Sequence, residues 1–329
     1  MIKSLQSLRA VGAIMIFIHH FGFDGPIAAS FGDCAVNWFM MLSGFVLCAA
    51  YENRTPRSVK HFLSGRFTRI APLYYVSLAI MLLINKFEIG IKPLVASLLM
   101  IQSWFPNMDI FFSLNLPAWF VSDLMFCYLL FIPLHRLLTS GRKLFRRLIL
   151  GFGLAAFAVV TVSVPQPWEL FVIYIFPPMQ LASFVTGMLL WQLVVRLRNV
   201  RLAPFQANLL ILSAVWILII FIGAYDYFPA RLTLSSYWWI PTALLLVILT
   251  LTDRTDCLAT RILHWRPLMM LGNAGLSFYL LHLPWILLTR MALKAVNVEL
   301  PLPVELPLSI LALALLSVII HRRFYPKTH

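Results

Sequence analysis

The sequence predicts an all-α, polytopic membrane protein, and three observations carry that prediction. The first is composition: of 329 residues, 61% are hydrophobic and 12% charged, with a mean hydropathy of +0.88. A soluble domain holds roughly 45–50% apolar and about 25% charged residues. The second is that the apolar residues gather into ten runs near the roughly 20-residue length of a spanning helix. The third is the distribution of charge between the loops that join those runs. Together they exclude a soluble globular enzyme, a disordered chain and a disulfide scaffold.

The ten predicted spans are 5–22, 33–51, 71–86, 118–137, 147–164, 170–195, 206–224, 235–252, 267–290 and 305–321. The first lacks an A-x-A-type cleavage site and runs into His19-His20, so it reads as helix one and not as a signal peptide. The second follows a short outer turn. The third starts at Pro72, after the basic stretch 52–70. A further apolar stretch, 93–105, contains Pro93 and ends at Pro106; it is too short to span and reads as re-entrant or interfacial. The fourth span opens after it, the fifth follows the basic stretch 136–147, and the remaining five alternate with short polar connections.

With the N-terminus placed inside, the inner loops and tail hold 21 of the 26 Lys and Arg residues. Lys86, Lys92, Arg231, Arg290 and Lys294 remain outside. The acids run the other way, with three inside, eight outside and Asp123 within a helix. Such a bias is the positive-inside rule, and it predicts an even number of spans with both termini cytoplasmic. Counting 93–105 as a span would invert every later loop. The net charge of +14 therefore reads as topology, not as nucleic-acid binding. Cys34, Cys48, Cys127 and Cys257 are dispersed, without disulfide or metal spacing. No linker, internal repeat or soluble extension is evident, so residues 1–329 read as one integral-membrane domain whose chemistry lies among the helices or at their ends.

An ionisable side chain inside a span costs about 2.5–3.5 kcal/mol on insertion scales, so each one calls for a reason. The clear cases are His19, His20, Asp123 and His282. Arg9 and His20 are eleven residues apart, which returns to within ~20° of one helical face, roughly 16 Å further along. His19 points about 100° away. The plain alternative is that Arg9 snorkels and the histidines mark the outer interface. Helical rise puts His20 about 22 Å up helix one and His282 about 21 Å up helix nine. Asp123, on a helix running the other way, falls roughly 7–8 Å below the outer surface of a ~30 Å core. All three occupy one layer, which is what a buried polar site written on three helices looks like. Asn273, Ser277, Tyr279 and His282 extend it as a polar stripe at i,i+4 and i,i+3 spacing. In the inner loop, Arg66 and Arg69 stand one turn apart, a spacing for a phosphate clamp. Contact with anionic lipid explains the same charges equally well.

Five stretches in order resemble membrane-bound acyltransferase family 3, the integral-membrane O-acyltransferases that modify bacterial cell-surface sugars. LQSLRAVGAIMIFIHHFGF is similar to the family's helix one, marked by Arg, ten residues, then His: here Arg9 and His20. NWFMMLSGFVL resembles its FF-x-LSGF segment, with Ser43 and Gly44 in place. FLSGRFTRIAPLYY resembles its paired-arginine segment through Arg66, Arg69 and Pro72. LASFVTGMLL and LGNAGLSFYLLHLP resemble its F-x-x-G-M and His-terminated segments, the latter ending at His282. The chain departs from the pattern where many members carry Glu in mid-chain, since Leu124 holds that position and Asp123 lies one residue early. It also lacks a Glu-x-Pro after the last span and a fused hydrolase-like domain, like the compact exopolysaccharide-modifying members.

The resemblance implies transfer of an acyl group, acetyl foremost, from cytoplasmic acetyl-CoA or another acyl-CoA to a sugar hydroxyl of a surface or lipid-linked glycan. It implies a bacterial plasma (inner) membrane, lipids as surroundings, no nucleic acid and no metal. Arg9, Arg66 and Arg69 would bind the donor, with His19, Ser43 and Tyr279 in support. His20 would act as general base or take the acyl group itself, with Asp123 and His282 orienting it or binding the acceptor. No G-x-S-x-G nucleophile motif is present. Two other readings compete: a proton-coupled secondary transporter built on the intramembrane His and Asp residues, and a non-catalytic membrane scaffold. Against transport, no pair of broken helices is evident in the sequence.

Overall fold

Helix α1 (Lys3–His20) begins where a distant carboxylate caps it. Asp253 accepts hydrogen bonds from Lys3 N at 3.2 Å, Ser4 N at 2.7 Å and Ser4 Oγ at 2.8 Å, and lies 3.1 Å from His264 Nε2. These are donors that a helix start leaves without intrahelical partners. The computed structural model describes residues 2–22, 25–53 and 58–324. Asp24, Arg54, Arg57 and Lys327, counted in the charge tally, lie outside them.

The chain continues through α2 (Pro26–Ala50), α3 (Val59–Ile84), α4 (Ile91–Leu98), α5 (Met108–Phe111), α6 (Trp119–Thr139) and α7 (Lys143–Ser163). A π-helical turn at Leu170–Ile175 precedes α8 (Pro177–Leu197), followed by α9 (Pro204–Gly223), α10 (Ala230–Thr233) and α11 (Trp239–Thr252). The last elements are α12 (Leu258–Leu263), α13 (Arg266–Asn273), α14 (Gly275–Ala295) and α15 (Leu302–Phe324). Among the described residues there is no strand. Eight helices are long and apolar enough to cross a membrane: α2, α3, α6, α7, α8, α9, α14 and α15. The 18-residue α1 and the shorter apolar α11 account for the other two expected segments. The architecture is the all-helical, multi-pass bundle that the sequence predicts.

Burial separates centre from rim. The apolar window of α2 is 72% buried, against 6% for α7 and 17% each for α9 and α15. Exposed apolar side chains on α7 such as Leu148, Phe152 and Val162 suit lipid. Helices in lipid gain little from apolar burial against each other, so close backbone packing matters more. Gly44 on α2 and Gly187 on α8 face each other's helices so closely that a Cβ on either would overlap the Phe184 or Met41 carbonyl. Gly272 on α13 meets Gln6 of α1 in the same way.

Three of the expected segments differ in ways that bear on the site. Helix α3 starts at Val59, not at 71, because Ser58 caps it by accepting from His61 N at 3.1 Å. Arg66 and Arg69 therefore stand on a helix, not in a loop, and Pro72 lies inside it. The expected span 170–195 breaks at Phe176, whose extended conformation (φ −72°, ψ 122°) is what the following Pro177 demands. The expected span 267–290 breaks at Ala274, between α13 and α14. The absence of broken helices thus no longer counts against a transporter. As expected, the stretch 93–105 does not span: it holds most of the short helix α4 and the 3-10 turn Gln102–Trp104. Eight helical residues rise only about 12 Å, so α4 cannot span. Tyr74 and Tyr75 tie it to α3 by donating to Ser97 O and Leu98 O at 2.7 and 2.8 Å.

The Asp253 cap carries a prediction. Burial pushes its carboxyl up, but the hydrogen bonds from Ser4, His264 and Lys3 outweigh that and hold it below its ordinary value of 3.8. A depressed carboxylate stabilises the fold above its unfolded pKa and loses that contribution as pH falls through its folded pKa. Asp253→Ala is expected to lower stability by about 0.5–2 kcal/mol at neutral pH, the usual value of a helix cap. Melting of wild type and variant in detergent should differ at pH 7 and converge below about pH 4.

Candidate active site

The last residue of α1 meets the middle of α14. His20 Nδ1 lies 3.3 Å from His282 Nε2, with ring centroids 4.9 Å apart. His282 is fully buried and His20 partly so. The common depth expected for these two histidines becomes direct contact. The surrounding hydrogen bonds assign their tautomers. His282 Nδ1 faces the carbonyl of Tyr279 at 2.5 Å, which only accepts, so Nδ1 carries the proton and Nε2 presents a lone pair. His20 Nδ1 faces that lone pair and the Ile16 carbonyl at 3.0 Å, two acceptors, so it too carries its proton. The nitrogen of His20 left with a free lone pair is Nε2.

His19 turns the other way. Its Nδ1 pairs with Ala28 O at 2.8 Å, and its ring packs against Gly32 of α2 where no side chain would fit. It meets His20 edge-on, with centroids 4.6 Å apart. His19 ties α1 to α2; His20 faces α14.

Below the histidine pair lies a cavity of about 440 Å³. Arg9 of α1 and Arg66 and Arg69 of α3 line it, with Ser43 of α2 and His321 of α15. Among the described residues no carboxylate does. Arg9 donates to Gln6 Oε1 at 3.0 Å, and the Arg66 guanidinium lies over the rings of Phe62 and Tyr128, 5.2 and 5.8 Å from their centroids. Three cations from two helices, supported by amides and aromatic faces, form a site for an anion. The break at Ala274 helps to build it, because Gly272, Asn273 and Gly275 all line the wall. Gln6 and His321 share the cavity, so the start of α1 and the end of α15 lie at one end of the bundle.

Tyr279 stands between cavity and histidines. It lines the cavity, its carbonyl holds His282, and its ring lies 5.7 Å from the His282 ring. Its hydroxyl donates to Pro117 O at 2.5 Å, and Phe39 and Phe120 flank it at 6.4 and 5.8 Å. This cavity is distinct from the one expected to be lined by His20, Asp123 and His282. None of the three lines this cavity; Tyr279, which does, is in ring contact with His282.

Asp123 departs furthest from expectation. It is fully buried in α6, with the Ser103 hydroxyl beside it, and neither oxygen accepts a hydrogen bond of good geometry. Leu124, one residue on, lines the cavity instead. The 100° between neighbouring helix positions thus turns Asp123 away from the place that Leu124 occupies. Two polar residues escaped the sequence reading. His321 lines the cavity from a helix whose charges read as a basic tail. Asp33, counted among the outer acids, is buried in the second turn of α2 and accepts from the Tyr225 hydroxyl at 2.6 Å. A lone acid at the edge of an apolar run was its only signal.

No solved structure matches the chain. Among known proteins it is 29% identical over 312 residues to the acyltransferase MdmB of Streptomyces mycarofaciens, covering 85% of this chain and 78% of that protein. It is 24% identical over 320 residues to the peptidoglycan O-acetyltransferase OatA of Listeria monocytogenes, covering 89% of this chain but only 50% of that one. The model of an acyltransferase domain matches residues 2–322. With that match running from the first turn of α1 to the last of α15, the chain belongs to acyltransferase family 3.

Proposed function

We propose that the protein transfers an acyl group, acetyl foremost, from acyl-CoA to a sugar hydroxyl of a surface or lipid-linked glycan, in a bacterial plasma membrane. The observation that carries this reading is the stacking of two sites on α1. An anion cavity with three arginines surrounds Arg9, and a histidine pair with a free imidazole lone pair stands at His20, eleven residues on. The roughly 16 Å between them suits a donor whose phosphates and thioester lie at opposite ends of a long arm.

His20 Nε2 removes the proton of the acceptor hydroxyl while the oxygen attacks the thioester carbonyl. The C–S bond breaks, and the imidazolium returns the proton to the departing thiolate. His282 serves as the acceptor that keeps His20 Nδ1 protonated and its ring oriented, as the carboxylate does in a catalytic triad. Arg9, Arg66 and Arg69 hold the donor phosphates on the cytoplasmic side, in keeping with the charge bias of the loops. Ser43 supports the cavity wall by donating to Phe39 O at 2.7 Å, and Tyr279 and His19 support the histidine pair. Asp123 has no step in this scheme. The related OatA is a peptidoglycan O-acetyltransferase, which supports a glycan acceptor.

The test is transfer of labelled acetyl from acetyl-CoA to surface glycan by the protein in lipid nanodiscs. Label that stays on CoA while bound donor is demonstrable would sink the reading. The breaks at Phe176 and Ala274 favour one competitor, a transporter, and substrate counterflow in vesicles without acyl transfer would establish it.

A further inference from the structure

Five of the 26 basic residues fall in the loops and helix ends on the sparse side of the charge pattern, so each stands against the prevailing bias. Arg290 is one of them. It lies near the end of α14, eight residues past His282, and makes three contacts at once. Its Nη2 donates to the carbonyl of Phe21, the residue after His20 and the C-cap of α1. Its guanidinium carbon lies 4.8 Å from the centroid of the Phe21 ring. Its Nε faces Glu305 Oε1 of α15 at 3.5 Å.

A helix end leaves its last carbonyls without partners and carries a partial negative charge, so a guanidinium there is favourable on both counts. The placement is more telling than the energy. Beyond Phe21 the chain turns at Gly22 with φ +93° and reaches α2 after Gly25 with φ +128°. His20 thus stands at the end of its helix between two ties: His19 to Ala28 O on α2, and Phe21 O to Arg290 on α14. The helix that supplies His282 also supplies the clamp on the far side of His20.

We infer that Arg290 is a positioning residue for the transfer reaction: oriented by Glu305, it pins the end of α1 to α14 and so sets the approach of His20 to His282. The inference rests on the reading of His20 as the reacting base. A displacement of about 1 Å at a reacting group can cost on the order of 100-fold in rate. Arg290→Ala is therefore expected to lower kcat by about tenfold or more while acyl-CoA affinity, set at the far end of α1, stays unchanged. Arg290→Lys keeps a donor for Phe21 O and should recover part of kcat, and Glu305→Gln should fall between wild type and Arg290→Ala. Rates and donor affinity would be measured in nanodiscs, with melting as control. Unchanged kcat in Arg290→Ala overturns the inference, as does a donor affinity that falls in step with kcat. If Arg290→Ala does not fold, Arg290→Lys and Glu305→Gln decide, and wild-type kcat in both overturns it. A fully active His20→Ala would instead remove the reading on which the clamp depends.

Discussion

His20→Ala abolishes acyl transfer while the protein still inserts, folds and binds donor; His19→Ala retains most of its activity. General base catalysis is worth roughly 100- to 10,000-fold, and here the group lost is the imidazole that presents a free nitrogen and lies 3.3 Å from His282 Nε2. The contrast with His19 is geometric. The two are neighbours in sequence, but His19 spends its Nδ1 on Ala28 O and its ring on Gly32, facing α2. Its loss removes a hydrogen bond and some packing. His282→Ala is expected to fall in between: His20 keeps its Ile16 contact but loses the acceptor that orients its ring. Initial rates of labelled-acetyl transfer, with gel-filtration profiles as a fold control, read all three. Equal loss in His19→Ala and His20→Ala would reverse the assignment.

Arg66→Lys combined with Arg69→Lys weakens acyl-CoA binding without altering glycan binding. Lysine preserves the charge but loses the planar fork that meets two phosphate oxygens. A hydrogen bond to a charged group contributes about 1.5–3 kcal/mol, so roughly tenfold or more in affinity is expected from Arg66. Arg66 is the partly buried member, stacked between two aromatic rings; Arg69 is exposed, and solvent screening makes its share smaller. Isothermal titration with acetyl-CoA checks this. Unchanged affinity in the double variant would remove the clamp and return the pair to a topology signal.

Much of this was legible in the chain itself. Bulk composition and 20-residue apolar runs determine that the protein is a helical membrane bundle, because lipid leaves an unpaired backbone no alternative. Helical rise alone brought His20 and His282 to one depth, since 1.5 Å per residue needs no knowledge of neighbours. Periodicity separated His19 from His20. Arginine spacing marked Arg66 and Arg69 as a pair, and the family motifs named Arg9 with them. Two misplaced boundaries also had local signals: Ser58, a helix cap inside what read as a loop, and Pro177-Pro178, a break inside what read as a span.

Tertiary structure decided the rest, and the reason is that depth is a property of one helix whereas facing is a property of two. Asp123 shares the histidines' layer in the sequence arithmetic, yet its side of α6 turns toward Ser103 and away from the cavity. Tyr279 reads as one more polar residue in a stripe. Only its packing with Phe39 and Phe120 makes it the residue that joins the anion cavity to the histidine pair. Gly272, two residues before the break at Ala274, packs against Gln6, 266 positions away in the chain. His321 and Arg290 read as a tail charge and an outer cation until α15 and α14 bring them against the cavity and the end of α1. Side chains far apart in sequence meet only when helices choose their neighbours, and in lipid that choice rests on close backbone packing at residues such as Gly44, Gly187 and Gly272, which no periodicity along a single helix reveals.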